Sequence, residues 1–328
     1  MRFSKFLCSM KIVNFCSVAI ASPISRFLLK PNRKDVASNL FMKNNYFDLS
    51  SIFIEKASSL AFFAFLSSFL LLTPTSAAEI IRAKVKSEIL GQEREILIHL
   101  PKNYDSKSKK KYPVMYALDG GSLSNPIAAR IGEISANGKF PEMIVVGIPN
   151  MTAENRQKDL LPPYMKIDLE VENSPFGRGD KFLVFIETEL MPYIKTNYKT
   201  SGLNSISGHS RGAVMVLYSL LAKPDLFQAR FAYSPAVWRE DNLLVSKTKD
   251  FLVSAKKMRS FWYMSLGDQE NDKMKGGFEA LTEVLKNSAS KKMIWYAEYI
   301  KDSNHQDNAK LSIPQALEKW GEYLKRQK

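Results

Sequence analysis

Ser205-Ile206-Ser207-Gly208-His209-Ser210-Arg211-Gly212 runs directly into the apolar stretch Ala213 to Leu221, so a short strand gives way to a helix within one turn. The turn itself has the pattern G-x-S-x-G, from Gly208 to Gly212. A serine nucleophile needs this geometry. Flanking glycines let the backbone approach closely, and the turn lifts the hydroxyl above the carboxyl edge of a sheet with a helix N-terminus behind it. The helix, read over 212–223, stops at Pro224, because a proline removes a helical hydrogen bond and crowds the preceding turn.

Strands and helices alternate on both sides of this turn. Residues 79–100 alternate in polarity around Gly91-Gln92, which reads as a hairpin turn. Tyr112 to Leu118, ending in Asp119-Gly120-Gly121, and Met143 to Ile148, ending in Pro149-Asn150, are continuous apolar runs of the kind buried on both faces of a parallel sheet. Phe182, Phe185, Ile186, Leu190 and Ile194 recur at helical spacing behind Asp180, the expected N-cap. Strands over 230–233, 261–266 and 293–300, with helices over 277–286 and 314–326, complete the alternation. The expected architecture is α/β: a mainly parallel central sheet with helices on both faces and an antiparallel hairpin at its start.

A serine hydroxyl becomes nucleophilic only when a base takes its proton, and the triad order after such a turn is nucleophile, acid, histidine. The chain has three histidines, His99, His209 and His305. His99 lies on an early strand, and His209, inside the tight turn, is expected to point elsewhere. His305, in the polar loop Lys301 to Asp307 after a strand, is left as the base. The acid must come from the loop after the strand 261–266, which carries Asp268, Glu270 and Asp272; spacing does not choose among them. Two backbone N–H groups must receive the oxyanion, one on Arg211 and one on Gly120 or Gly121.

Beyond the turn, several segments in order resemble the esterase family of α/β-hydrolases that includes esterase D, ferric-siderophore esterases and mycolyltransferases. They are Leu100-Pro101-Lys102-Asn103-Tyr104-Asp105, Lys111 to Gly120, Asn155 to Pro162, Gly177-Arg178-Gly179-Asp180-Lys181-Phe182-Leu183, Glu189 to Ile194, Gly208 to Gly212, and Ser234-Pro235-Ala236-Val237-Trp238. The resemblance implies an α/β-hydrolase fold over 79–328 and assigns the acid to Glu270, with Asp268 in reserve. It further implies that Arg156 lies in a substrate-side loop and that Trp238 lines an acyl or aromatic pocket. The sequence departs from the family at Ser210-Arg211-Gly212-Ala213, where Ser-Leu-Gly-Gly is usual, and at Trp238-Arg239, where two tryptophans are usual. Both departures add positive charge, which suits an anionic ester such as a ferric catecholate siderophore or else forms a solvated rim.

Composition narrows the classes. With 328 residues, 45% of them hydrophobic, the chain is neither a disordered protein nor a multi-spanning membrane protein. Cys8 and Cys16 are the only cysteines, so the later chain has no disulfide framework, cysteine-based zinc site or thiol nucleophile. The net charge of +14 is split, with nine Lys and Arg against Asp35, Asp48 and Glu55 in residues 1–78. The densest basic run, Lys107 to Lys111, lacks interleaved aromatics and reads as a solvated loop, so no nucleic-acid partner is expected. No nucleotide, flavin or metal signature is present, and no cofactor is expected. Lys56, the apolar core 57–72 and the small residues through Ala78 have the order of a signal peptide cleaved after Ala78, or of an uncleaved anchor. That pattern predicts a secreted or periplasmic catalytic domain over 79–328, whose one membrane contact would be the anchor. The expected activity is a serine carboxylic-ester hydrolase acting on a small-molecule ester. An acyltransferase of the mycolyltransferase type and a non-catalytic binding protein on the same fold stand as alternatives.

Overall fold

Alternating residues in the first two strands and continuous apolar runs in most of the later ones build eight strands: β1 (Ile80–Ser87), β2 (Gln92–His99), β3 (Tyr112–Leu118), β4 (Ile144–Ile148), β5 (Thr200–His209), β6 (Ala229–Tyr233), β7 (Phe261–Gly267) and β8 (Ile294–Ile300). The computed structural model describes residues 80–255 and 257–327. The leader or anchor expected in residues 1–78 therefore lies outside the described residues. The strands join in one sheet of order β1-β2-β4-β3-β5-β6-β7-β8. β1 and β2 form the antiparallel hairpin, β2 pairs antiparallel with β4, and every pairing from β4 to β8 is parallel. The expected fold class is what the structure shows.

Strand periodicity divides the core between the two faces. On β3, Val114, Tyr116 and Leu118 face one side, and Met115 and Ala117 the other. The first side is covered by α3 (Gly179–Phe185), α5 (Arg211–Ala222), α6 (Arg239–Ser254) and α7 (Asp272–Ser288). The second is covered by α1 (Gly120–Ala136) and α8 (Asn308–Arg326), with Ile127, Ile131, Ile313 and Trp320 pressed onto the sheet. α2 (Ala153–Asp159) and α4 (Met191–Asn197) complete the helices used here. On β6, Arg230 is fully buried and donates to the carbonyls of Phe227, Ser219, Lys223 and Pro224, closing the C-terminal end of α5.

Some element boundaries differ from the sequence reading. Asp180 does not cap: Arg178 precedes the helix, which begins at Gly179, and Asp180 sits in its first turn, where a carboxylate suits the helix dipole. The expected single helix to Ile194 is α3, a π-helical turn Ile186–Leu190 and α4; Pro192 has no N–H to offer the preceding turn. α8 starts six residues before Pro314, which lies inside it. Lys310, whose carbonyl the proline leaves without a helical partner, is exposed to water.

One long connection, between β4 and α3, crosses the carboxyl edge of the sheet. Its middle is anchored by Asp159, which is buried and pairs with Arg94 of β2 and, at 2.6 Å, with Arg178 Nε. Phe182 lies under the Arg94 guanidinium. A short antiparallel bridge between Lys166 and Phe176 then folds the connection back on itself.

Candidate active site

Ser210 stands between β5 and α5 with φ 58° and ψ −115°, a conformation that a serine holds only when its surroundings enforce it. The surroundings are the two glycines of the motif. A Cβ on Gly208 would lie 2.5 Å from the backbone of Gly212, and one on Gly212 would lie 2.9 Å from the Asp119 carboxylate. The Ser210 N–H donates to Tyr233 of the neighbouring strand, and its carbonyl accepts from Val214 in the first turn of α5.

The loop after β8 brings His305 to this serine. His305 Nε2 accepts from Ser210 Oγ at 3.0 Å, and its Nδ1–H donates to Glu270 Oε2 at 2.7 Å. Of the three acids offered by the loop after β7, the structure thus brings Glu270 to the histidine. Asp268 instead accepts the Ser303 N–H and braces the histidine loop, and Asp272 opens α7 at the surface. The second Glu270 oxygen accepts from Ser234 Oγ at 2.6 Å and from the Gly267 N–H at 3.0 Å. Burial pushes the Glu270 carboxyl up, but the bonds from His305, Ser234 and Gly267 outweigh it and hold the group below the usual carboxylate range.

Behind Ser234 lies a buried polar chain that sequence reading did not find. Asn308 Nδ2 donates to Ser234 Oγ at 2.8 Å and reaches Ser265, and Ser312 Oγ donates to Ser265 Oγ at 2.7 Å. All four side chains are fully buried. Isolated Ser and Asn residues carry no periodic or motif signal, so nothing in the chain alone marked them.

His209, expected to point away, packs on the base. The two imidazole centroids are 4.7 Å apart, and His209 Nε2–H donates to the His305 carbonyl at 2.7 Å. A carbonyl only accepts, so this bond defines the proton-bearing nitrogen. Burial, then the neighbouring His305, lowers the His209 pKa to about 4, leaving a neutral ring at physiological pH. His99 is remote from this pair, buried with Nε2 2.9 Å from Ser124 Oγ.

An open cleft of about 390 Å³ is lined by Asp119, Gly121, Ser122, Pro149, Asn150, Arg156 and His209, the residue before the serine. Of the two glycines offered for the oxyanion, Gly121 borders this cleft; Gly120 is packed so closely on β4 that a Cβ would lie 2.3 Å from the Ile148 nitrogen. Arg211 is the first residue of α5, where N–H groups lack helical partners. Arg156 reaches the cleft but is engaged with Asp119, through Nε at 2.6 Å and Nη2 at 2.9 Å, and Asn150 donates to the same carboxylate. Trp238, which the resemblance places at a pocket, directly precedes α6 and is half-buried. Its indole N–H points at Met274 Sδ of α7, and the Arg239 and Lys273 cations lie within 6.0 Å of the ring centroid.

Sheet order, strand-to-helix serine turn and a histidine and carboxylate on later loops define an α/β-hydrolase with a Ser-His-Glu arrangement. The Putative esterase family model matches residues 87–312. The chain belongs to that family. It is 32% identical over 162 residues to the ferri-bacillibactin esterase BesA of Bacillus subtilis, an alignment covering 44% of this chain and 55% of that protein. It is 25% identical over 179 residues to the siderophore triacetylfusarinine C esterase of Aspergillus fumigatus, covering 51% and 59%. The matched region spans little more than half the length of these curated relatives. Among solved structures, an IroE-like serine hydrolase from Shewanella oneidensis superposes with a TM-score of 0.68 at 25% identity, over 74% of this chain and 80% of that one.

Proposed function

We propose that the protein is a serine carboxylic-ester hydrolase that works through an acyl-enzyme. The observation that carries this reading is the hydrogen-bonded series Ser210 Oγ, His305, Glu270, at 3.0 and 2.7 Å. His305 takes the serine proton as Oγ attacks the ester carbonyl, and Glu270 holds the ring in the tautomer that leaves Nε2 free to accept it. The backbone N–H groups of Arg211 and Gly121 receive the oxyanion, replacing water with fixed dipoles where the charge develops. The C–O bond to the alcohol then breaks as His305 returns the proton to the departing oxygen. Water, deprotonated by the same imidazole, attacks the acyl-serine and releases the carboxylic acid and free Ser210.

Siderophore esters are the substrate class that the named relatives suggest. The basic flank, apolar core 57–72 and small residues through Ala78 support export of the protein or its attachment to a membrane. The test is release of p-nitrophenol from short-chain p-nitrophenyl esters by the purified full-length chain. Ser210→Ala is expected to lower kcat by about 10⁴-fold or more, and His305→Ala to do nearly the same, because triad members act as a unit. Folded wild-type protein that neither turns over these esters nor is labelled by a serine-directed phosphonate overturns the reading.

A further inference from the structure

Two arginines flank the serine turn with no carboxylate in ion-pair contact among the described residues. Arg211 follows Ser210 directly, and its guanidinium makes one long bond, from Nη2 to the Ile167 carbonyl at 3.4 Å. Arg239, at the start of α6, is 6% exposed. Its Nη2 donates to the Lys166 carbonyl at 2.6 Å and also reaches Ile167 at 3.4 Å, while its Nε is buried with no partner. Both Nη2 atoms reach one and the same oxygen, so these two nitrogens stand no further apart than twice that distance. Arg156, already paired with Asp119, is the third cation of the group.

Among the described residues, neither Arg211 nor Arg239 has a carboxylate within ion-pair distance. Two acids face them. Asp168 is exposed and accepts the Glu170 N–H, and Glu240 accepts the Lys166 N–H at 2.7 Å. Burial and the neighbouring guanidiniums of Arg239 and Arg156 pull the Arg211 pKa below its ordinary value; burial does the same to Arg239. Placing like charges together out of water costs free energy unless an anion joins them. The backbone around Arg239 is also strained, since Glu240, Asp241 and Asn242 all have positive φ, from 51° to 61°, which only a surrounding structure that over-determines them sustains.

We infer that Arg211 and Arg239 form an oxyanion-binding subsite for the substrate, so that the ester turned over best carries a carboxylate or a similar anionic group near the scissile bond. The inference rests on the hydrolase reading and adds to it a charge requirement located in two named side chains. Arg211, attached to the residue after the nucleophile, links the subsite to the reacting carbonyl, and Arg239 supplies the second guanidinium through the packed strap at 166–167.

Two esters of matched length separate the inference from the reading beneath it: the mono-p-nitrophenyl ester of adipic acid and p-nitrophenyl hexanoate, which differ by a terminal carboxylate. The full-length protein is expected to favour the anionic ester in kcat/KM by about tenfold or more, the scale of one charge-assisted hydrogen bond. Added salt should narrow that preference. Arg211→Met and Arg239→Met should each collapse the ratio, and Arg211→Lys should restore part of it, whatever happens to the absolute rates. A role for Arg239 confined to holding the strap would lower both esters alike. Equal turnover of the two esters by wild type, or a ratio unchanged in both methionine variants, overturns the subsite and leaves the hydrolase standing. If neither ester is hydrolysed, the subsite is read by NMR titration of Ser210→Ala protein with monomethyl adipate, and the hydrolase reading fails when the serine-directed phosphonate does not label the wild type either. Binding that weakens when Arg211→Met is added supports the subsite, and no binding overturns it.

Discussion

Glu270 has both carboxylate oxygens engaged inside the protein, one by His305 and the other by Ser234 and the Gly267 N–H. The carboxylate can therefore orient the imidazole only as well as Ser234 orients the carboxylate. Ser234 is itself held at φ 46° and takes a second bond from Asn308. Glu270→Gln is expected to lower kcat by about 10³-fold or more, because an amide no longer favours the required tautomer and no longer stabilises an imidazolium. Ser234→Ala should lower kcat by about tenfold with KM little changed, the signature of a residue that positions another rather than touching substrate. Steady-state kinetics on p-nitrophenyl butyrate separate the two effects. Sequence order sufficed to reach Ser210 and His305, since only three histidines exist and one lies in a loop on the correct side of the serine. It left three acids open, because neighbouring positions on a polar loop point in directions that only the folded loop defines.

At the scale of elements, α7 shows how a local signal can mislead. The sequence reading starts the helix at Gly277, but the helix begins at Asp272 with the Asn271 side chain accepting from the Met274 N–H. Gly276 and Gly277 have different reasons for being glycine. A Cβ on Gly276 meets nothing within 4 Å, whereas one on Gly277 would lie 2.8 Å from the backbone nitrogen of Trp238. Gly276→Ala should raise stability by about 0.5 to 1 kcal/mol through the lost entropy of the unfolded chain. Gly277→Ala should lower it by about 1 to 3 kcal/mol, since α7 must move off α6. Urea denaturation of the two variants tests the pair, and equal signs would refute it. The long helices α1 and α6 escaped sequence reading for a related reason. α1 opens Gly-Gly-Ser and contains Pro126, and α6 opens with three residues in left-handed conformation, so tertiary packing, not propensity, holds them helical.

Across the whole molecule, strain collects at one edge. The described non-glycine residues with positive φ are Asp119, Ser210, Ser234, Glu240, Asp241, Asn242 and Asp302, and they follow the carboxyl ends of β3, β5, β6 and β8. That edge also holds two groups whose protonation differs between folded and unfolded chain. His209 ordinarily titrates near 6.5 but near 4 when folded. As pH falls between those values, the unfolded chain takes up a proton that the folded chain refuses, and stability drops. Glu270 acts in the same direction at lower pH: its carboxyl is held below the usual range, so its contribution is full above that range and is lost as pH falls through the folded value. The urea midpoint is expected to decline from pH 6.5 to 4, with up to about 3 kcal/mol from His209 alone. His209→Gln should flatten that part of the curve. A slope unchanged in this variant would assign the acid sensitivity to other groups.

Strand and helix alternation, the serine turn and the single downstream loop histidine were legible in the chain because each is local: periodicity, a pentapeptide and order along the sequence. The α/β architecture and two members of the triad follow from these. Order and spacing left Glu270, Asp268 and Asp272 open and the resemblance named Glu270, which the fold then bonds to His305; the Ser234–Asn308 chain behind it, the engagement of Arg156 by Asp119 and the convergence of Arg211 and Arg239 on Ile167 were decided by the tertiary structure. Each depends on the directions of side chains from loops far apart in sequence, and those directions exist only once packing has closed the carboxyl edge of the sheet.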